Sequence, residues 1–236
     1  MEYIGDVFYN YGTDLYANIT NKCPCSCEFC IRDIVDALGT ADSLWLKREP
    51  TLEELKEMVS EIDLTSFDEL IFCGYGEPTA RLDIMLELVG YIKGGREPVG
   101  NLRSSGKLHA SDNTASMQNF VSQNSRKKTE ENVKVRLNTN GLANLMYGRD
   151  TTPDMVGLID RVSVSLNAPT AEKYNDLCHP DFGLKSWDAI LDYTRLAKER
   201  IGDVTMSVVS GTISDEDIRL CRDIAEREIG VKFRVR

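Results

Sequence analysis

The chain has 236 residues, with 28 Lys and Arg against 38 Asp and Glu, a net charge of −10. That length is one domain of ordinary size with enough apolar content for a core, and the acidic balance argues against broad nucleic-acid binding, which depends on a positive surface. No apolar run is long enough to span a bilayer, the first residues lack a signal-peptide pattern, and seven cysteines without other marks of a small secreted scaffold read as free thiols in a reducing cytoplasm.

Taken in order, Leu15-Tyr16-Ala17-Asn18-Ile19-Thr20 alternates and predicts a first strand. It leads into Asn21-Lys22-Cys23-Pro24-Cys25-Ser26-Cys27-Glu28-Phe29-Cys30, which holds four of the seven cysteines. A short helix is expected over Ile31–Leu38. Thr51 and Glu54 have capping-box spacing, and Leu52, Leu55, Val59 and Ile62 recur on one helical face. Glu69–Cys73 is an apolar run of strand length, ending in Gly74-Tyr75-Gly76-Glu77-Pro78-Thr79, and Leu82–Ile92 is helical in period.

Residues 94–132 differ: Gly, Ser, Asn and basic residues dominate, and the apolar positions have no period, so an insertion is expected there. Val133–Asn138 resumes as a third strand, followed by Thr139-Asn140-Gly141. Thr152-Pro153 starts a helix with Pro at its first position. Asp160–Asn167 alternates as a fourth strand, and Ala171–Leu177 and Leu184–Ile201 read as helices. Val204–Val209 is a fifth strand. Ser214 caps a helix that Gly230 stops near Ile229, and Val231–Val235 is the sixth strand. Strands alternating with helices argue an α/β fold with a parallel sheet and right-handed crossovers, one domain over 1–236. In such folds chemistry gathers at the C-terminal ends of strands, where the cysteine loop and the Gly74–Thr79 turn both stand.

Cys23, Cys27 and Cys30 are spaced Cys-x3-Cys-x2-Cys, with an aromatic residue before the last. Three thiolates on one loop can hold three irons of a cubane and leave the fourth iron open to a small molecule, since clusters otherwise take a full set of Cys ligands. The pair Cys27 and Cys30 alone also fits half of a zinc site. Zinc would need a second ligand pair, and Cys73, Cys178, Cys221, His109 and His179 each stand apart from any other such pair. A non-catalytic zinc-binding module is the alternative from a different class. Cys25 reads as a spare thiol, and Cys73 as a packed one.

The cysteine spacing resembles that of radical S-adenosylmethionine (SAM) enzymes. The resemblance implies a [4Fe-4S] cluster on Cys23, Cys27 and Cys30, and a six-stranded parallel (β/α)6 partial TIM barrel. It implies SAM chelated at the open iron and cleaved by one electron to a 5′-deoxyadenosyl radical, which takes hydrogen from a substrate. Tyr75-Gly76-Glu77-Pro78 stands where the family has Gly-Gly-Glu-Pro, a turn that binds the SAM amino group; Tyr75 replaces the first glycine. Ser165-Leu166-Asn167 resembles the family's Ser-Leu-Asp stretch that contacts SAM. Asn138 and Thr139 occupy a level that faces SAM or substrate in related enzymes. Phe29 would lie against the adenine, with Val208 and Val235 as apolar walls or plain core.

The stretches Asn18–Arg32, Leu44-Trp45-Leu46, Cys73–Pro78, Arg136–Gly141 and Phe233–Arg236 together resemble the TatD-associated radical SAM proteins. That resemblance implies a functional link to a TatD-type hydrolase, and names no substrate. A small molecule or a peptide is expected, with an electron donor such as flavodoxin or ferredoxin. An activase-like protein acting on a partner protein is the alternative among enzymes.

Overall fold

The computed structural model describes residues 3–94 and 133–236. The insertion expected at 94–132 therefore lies outside the described residues, apart from Gly94.

A seven-stranded sheet runs in strict chain order: β1 (Phe8–Tyr11), β2 (Asp14–Ala17), β3 (Glu69–Phe72), β4 (Lys134–Thr139), β5 (Arg161–Ser165), β6 (Val204–Val208) and β7 (Lys232–Val235). The strands β2 to β7 are the six expected ones, and each pairs in parallel with the next. The sheet departs from the expected six strands at its edge, where β1 pairs antiparallel with β2. Gly12-Thr13 joins the two as a tight hairpin, Gly12 taking φ +64°, which glycine adopts without steric cost.

The helices are α1 (Leu52–Ser60), α2 (Leu82–Ile92), α3 (Ala143–Tyr147), α4 (Ala171–Cys178), α5 (Lys185–Arg200) and α6 (Asp215–Asp223). The capping box that starts α1 is formed: Thr51 Oγ1 accepts from Glu54 N and the Glu54 carboxylate accepts from Thr51 N. Ser214 caps α6, which runs on through a π-helical turn, Ile224–Ile229, to Gly230 in left-handed conformation. Two expectations shorten. Ile31–Leu38 forms only a 3-10 turn at Ile31–Asp33, with Ile31 and Ile34 exposed. With half of its apolar stripe, Ile31 and Ile34, left in solvent while Leu38 packs on the Tyr9, Leu44 and Tyr75 cluster, the segment buries too little to repay helix nucleation. Thr152-Pro153 likewise opens a 3-10 turn, Thr152–Met155.

Strand alternation divides the sheet into two faces. Leu15, Ala17, Leu70, Phe72, Val135, Leu137, Val162, Val164, Met206 and Val208 point to one side and join the main apolar core. The helices supply Leu55, Val59, Met85, Val89, Ile190 and Tyr193 to that core. The other face alternates out of phase and is polar, with Glu69, Arg136, Asn138, Arg161, Ser163, Ser165, Ser207 and Arg234 along it. Two faces of opposite character leave the helices on one side and a polar surface on the other, with loops converging at the C-terminal edge.

Candidate functional site

The cysteine loop leaves the C-terminal end of β2 and is held from two sides. On one side, Glu77 N donates to Lys22 O at 2.8 Å. On the other, Ser26 N donates to Cys178 O and Glu28 N to Leu177 O, both at 3.1 Å, and Asp181 N donates to Pro24 O at 2.8 Å. The loop is therefore paired like a strand against the end of α4, with Cys25 bridged to Pro180. His179 closes α4 in left-handed conformation and lies 3.4 Å from Glu28. The two Asn side chains ahead of the loop fix its approach: Asn18 Nδ2 donates to Leu44 O and Asn21 Nδ2 to Leu46 O, both at 2.7 Å.

The five thiols in this region fall into two groups. Cys23, Cys27 and Cys30 are half-buried, whereas Cys25 and Cys178 are buried. Hydrogen bonds from Cys178 and then Cys25 pull the Cys27 thiol down to about 4. A hydrogen bond from Cys25 also lowers Cys23. The donors move the opposite way: Cys25 is pushed up by its bonds to Cys23 and Cys27, and Cys178 by its bond to Cys27. Burial raises Cys30. Two of the three spaced cysteines are thus favoured as thiolates, the form in which sulfur binds metal. Among the described residues no three Cys, His, Asp or Glu side chains already converge on one point, so the set is supplied along one loop rather than preassembled.

The turn after β3 lies directly on this loop. A Cβ at Gly76 would stand 2.3 Å from Thr20 O and 2.7 Å from Lys22 O, and one at Gly74 2.1 Å from Asn18 Oδ1. Only glycine permits so close an approach, to backbone carbonyls at Gly76 and to the Asn18 side chain at Gly74. Between them, Tyr75 turns its ring away into a second small cluster with Tyr9, Ala41 and Leu44. There it meets Trp45 edge-on at 5.1 Å and donates to Val35 O. Pro78 opens the 3-10 turn Pro78–Arg81 that leads into α2.

Glu77 is 4% exposed and accepts four hydrogen bonds, three of them on one oxygen. Its Oε1 accepts from Thr79 N at 3.1 Å, Thr79 Oγ1 at 2.7 Å and Thr139 Oγ1 at 2.8 Å; Oε2 accepts from Asn140 N at 2.7 Å. Burial pushes its pKa up, against the pull of these donors. The carboxylate thereby joins the end of β3 to the end of β4.

Asn138 sits on the polar face with its buried Oδ1 unpartnered, beside Cys73, whose thiol burial pushes up. Cys73 lies outside the main apolar core. Thr139 serves Glu77 instead of the face. The strand-end residue that reaches the loop is Asn140, whose Nδ2 donates to both Cys23 Sγ and Cys25 Sγ at 3.8 Å. Asn138 and Asn140 share a side by strand alternation, which is the signal that finds Asn140 from sequence. Ser165 Oγ accepts from Arg236 Nη2 at 3.0 Å. Asn167 takes φ +60° and donates to Cys178 Sγ at 3.6 Å, with its buried Oδ1 unpartnered. Phe29 is half-buried against the core, Val208 is part of it, and Val235 is exposed. No local pattern announces Cys178 as the neighbour of Cys27; the contact exists only in the fold.

Asn138 Oδ1 and Asn167 Oδ1 are buried acceptors without a donor, and the two residues stand near the C-terminal ends of β4 and β5. Unpaired buried acceptors are costly, and an ammonium or hydroxyl ligand would satisfy them. The donor set therefore fits a thiolate-bound cluster with a polar small molecule beside it.

Comparison with known proteins agrees with this arrangement. A family description, the radical SAM superfamily, matches residues 17–224. No curated protein matches the chain. Among solved structures, a radical SAM methyltransferase from Sphaerobacter thermophilus aligns with a TM-score of 0.57 at 16% identity, over 97% of this chain and 57% of that protein. HydG, a maturase of the [FeFe]-hydrogenase, aligns with a TM-score of 0.50 at 16% identity, over 94% of this chain and 41% of its own. The chain thus spans 57% and 41% of these two proteins, and the likeness concerns the fold. The family match begins at the last residue of β2, includes the whole cysteine loop and continues just past α6, and on it the chain belongs to the radical SAM superfamily.

Proposed function

We propose that the protein is a radical SAM enzyme that holds a [4Fe-4S] cluster on Cys23, Cys27 and Cys30 and binds SAM between the cysteine loop, the Gly74–Pro78 turn and the ends of β4 and β5. The observation that carries this is the division of the thiols. The three spaced cysteines are half-buried, while Cys25 and Cys178 are buried donors that favour thiolates on Cys23 and Cys27. With cluster and SAM bound, the site supplies one-electron cleavage of a SAM carbon–sulfur bond and hydrogen abstraction by a 5′-deoxyadenosyl radical, the electron coming from a flavodoxin- or ferredoxin-type donor.

The residues of the chain bind and orient. Glu77 Oε2, which accepts one hydrogen bond, is the oxygen left for the SAM ammonium, with the carbonyls of the turn beside it. Ser165 and Asn167 offer a hydroxyl and an amide to the ribose or carboxylate. Phe29 takes the adenine, and Asn138 faces SAM or substrate. Asn140 positions Cys23 rather than touching SAM. On this reading the six parallel strands β2–β7 serve as the partial barrel of this family, and the motif resemblance supports the TatD-associated subgroup, with action in the cytoplasm on a small molecule or peptide.

Anaerobic reconstitution with iron and sulfide tests this. A brown protein absorbing broadly in the visible blue, which yields 5′-deoxyadenosine from SAM under reduction, is the expected result. A colourless protein with stoichiometric zinc overturns it.

A further inference from the structure

The polar face of the sheet carries a chain of ion pairs at its N-terminal end. Arg136 of β4 lies 3.6 Å from Asp14 of β2 and 3.1 Å from Glu69 of β3. Arg161 of β5 lies 2.6 Å from Glu69 and 2.7 Å from Asp203, and Lys232 of β7 lies 2.8 Å from Asp203. Asp14, Glu69 and Asp203 thus meet Arg136, Arg161 and Lys232, and the band is electrically balanced.

Arg234 of β7 and Arg236, one residue past its end, follow in line with Lys232. Arg234 Nη2 donates to Ser163 Oγ at 3.3 Å, and Arg236 Nη2 to Ser165 Oγ at 3.0 Å. Among the described residues neither guanidinium pairs with a carboxylate. A hydroxyl orients a guanidinium without neutralising it. Protein around Arg236 desolvates it and lowers its pKa even though the residue keeps contact with solvent; Cys73 opposes this shift and Arg234 adds to it. Arg234 also lines a cavity of about 150 Å³ with Arg136, Arg161, Ser163, Lys232 and the carboxylate of Asp203, room for several water molecules; Arg236 is not among its lining residues. In a chain of net charge −10, two adjacent cations held by hydroxyls rather than carboxylates, one of them lining a cavity, are a local reversal of sign.

We infer that Arg234 and Arg236 recognise an anionic group of the substrate, a phosphate or a carboxylate, on the polar face of the sheet. The inference rests on the radical SAM reading above, which makes this face the substrate side of the site. The planar fork of Arg matches both oxyanions in a bidentate way, and Ser163 and Ser165 set the two forks one above the other along β7. SAM itself carries a carboxylate, so the occupant has two sources, and the test separates them.

The full chain, reconstituted anaerobically, is titrated by calorimetry with inorganic phosphate, with succinate and with SAM. The wild type is expected to bind phosphate or succinate. Arg234→Gln and Arg236→Gln are each expected to weaken that binding by about tenfold or more, as loss of a charge-assisted hydrogen bond implies. Arg234→Lys retains part of the affinity, and SAM binding stays within about twofold in the Arg234 variants. The inference is overturned if the wild type binds neither probe, or if the Gln variants bind them like the wild type. It is also overturned if SAM affinity falls in parallel with probe affinity in both Gln variants, which assigns the pair to the carboxylate of SAM. A wild type that stays colourless on reconstitution overturns the reading beneath it, and shows this before any anion is added.

Discussion

The backbone N–H of Asn140 donates to Glu77 Oε2 at 2.7 Å, while the Asn140 side chain donates to Cys23 Sγ at 3.8 Å. One residue at the end of β4 thus connects a buried carboxylate of the β3 turn to the first cysteine of the loop. Changes on either side of Asn140 are therefore felt on the other.

Glu77→Gln keeps the shape and removes the charge. One oxygen that now accepts becomes a donor, facing either the Asn140 N–H or the Thr79 and Thr139 donors. Hydrogen bonds to charged groups contribute roughly 1.5–3 kcal/mol, and a loss of stability of that size is expected in urea unfolding. SAM affinity, measured by calorimetry at equal cluster content, is expected to fall about ten- to a hundredfold. An unchanged affinity with an intact cluster removes Glu77 from the SAM site.

Gly76→Ala tests the contact between turn and loop. The new Cβ meets two backbone carbonyls, Thr20 O at 2.3 Å and Lys22 O at 2.7 Å, and neither can rotate away. Overpacking of this kind costs about 1–3 kcal/mol. We expect the fold to persist by circular dichroism while iron uptake and SAM binding fall together. Normal SAM binding in this variant would show that the turn and loop need not touch.

The cysteines divide by mutation as they divide by burial. Cys23→Ala, Cys27→Ala and Cys30→Ala are each expected to lose the cluster on reconstitution. Cys25→Ala should keep it, because Cys25 is a buried donor 3.8 Å from the Tyr174 hydroxyl and stands outside the family spacing. Iron content decides: loss of iron in Cys25→Ala with retention in one of the others overturns the ligand assignment.

Glu69→Ala addresses the polar face. Glu69 is buried and pairs with both Arg136 and Arg161. Removing one partner of a buried pair leaves charge uncompensated, at about 3 kcal/mol or more. Chemical unfolding is expected to show a loss of this order, with Glu69→Gln milder. A change below about 1 kcal/mol would show that water already screens the band.

Much of this protein is determined by local sequence. The strands β2 to β7, the capping box at Thr51 and Glu54, the start of α6 at Ser214 and the spacing of Cys23, Cys27 and Cys30 are all set by residues within a few positions of one another. Short-range periodicity and hydrogen bonding specify such features before any tertiary contact forms. Strand β1 is not among the strands read from the sequence; Phe8–Tyr11 does not alternate, and it pairs because β2 otherwise leaves an open edge. The segment 31–38 shows the limit: its apolar residues have helical spacing, yet Ile31 and Ile34 meet no surface and only Leu38 packs, against the Tyr9 and Tyr75 cluster. Tertiary structure decided the rest. The Cys178 bond to Cys27, the reach of Asn140 to Cys23, the turning of Tyr75 toward Trp45, and the seating of Arg234 and Arg236 on Ser163 and Ser165 join residues from distant elements. Each depends on strand order and on which face a side chain takes, and periodicity along one segment carries no information about either. The chain therefore announces its cluster loop locally, whereas the acidity of its thiols and the charge of its polar face exist only once the sheet has formed.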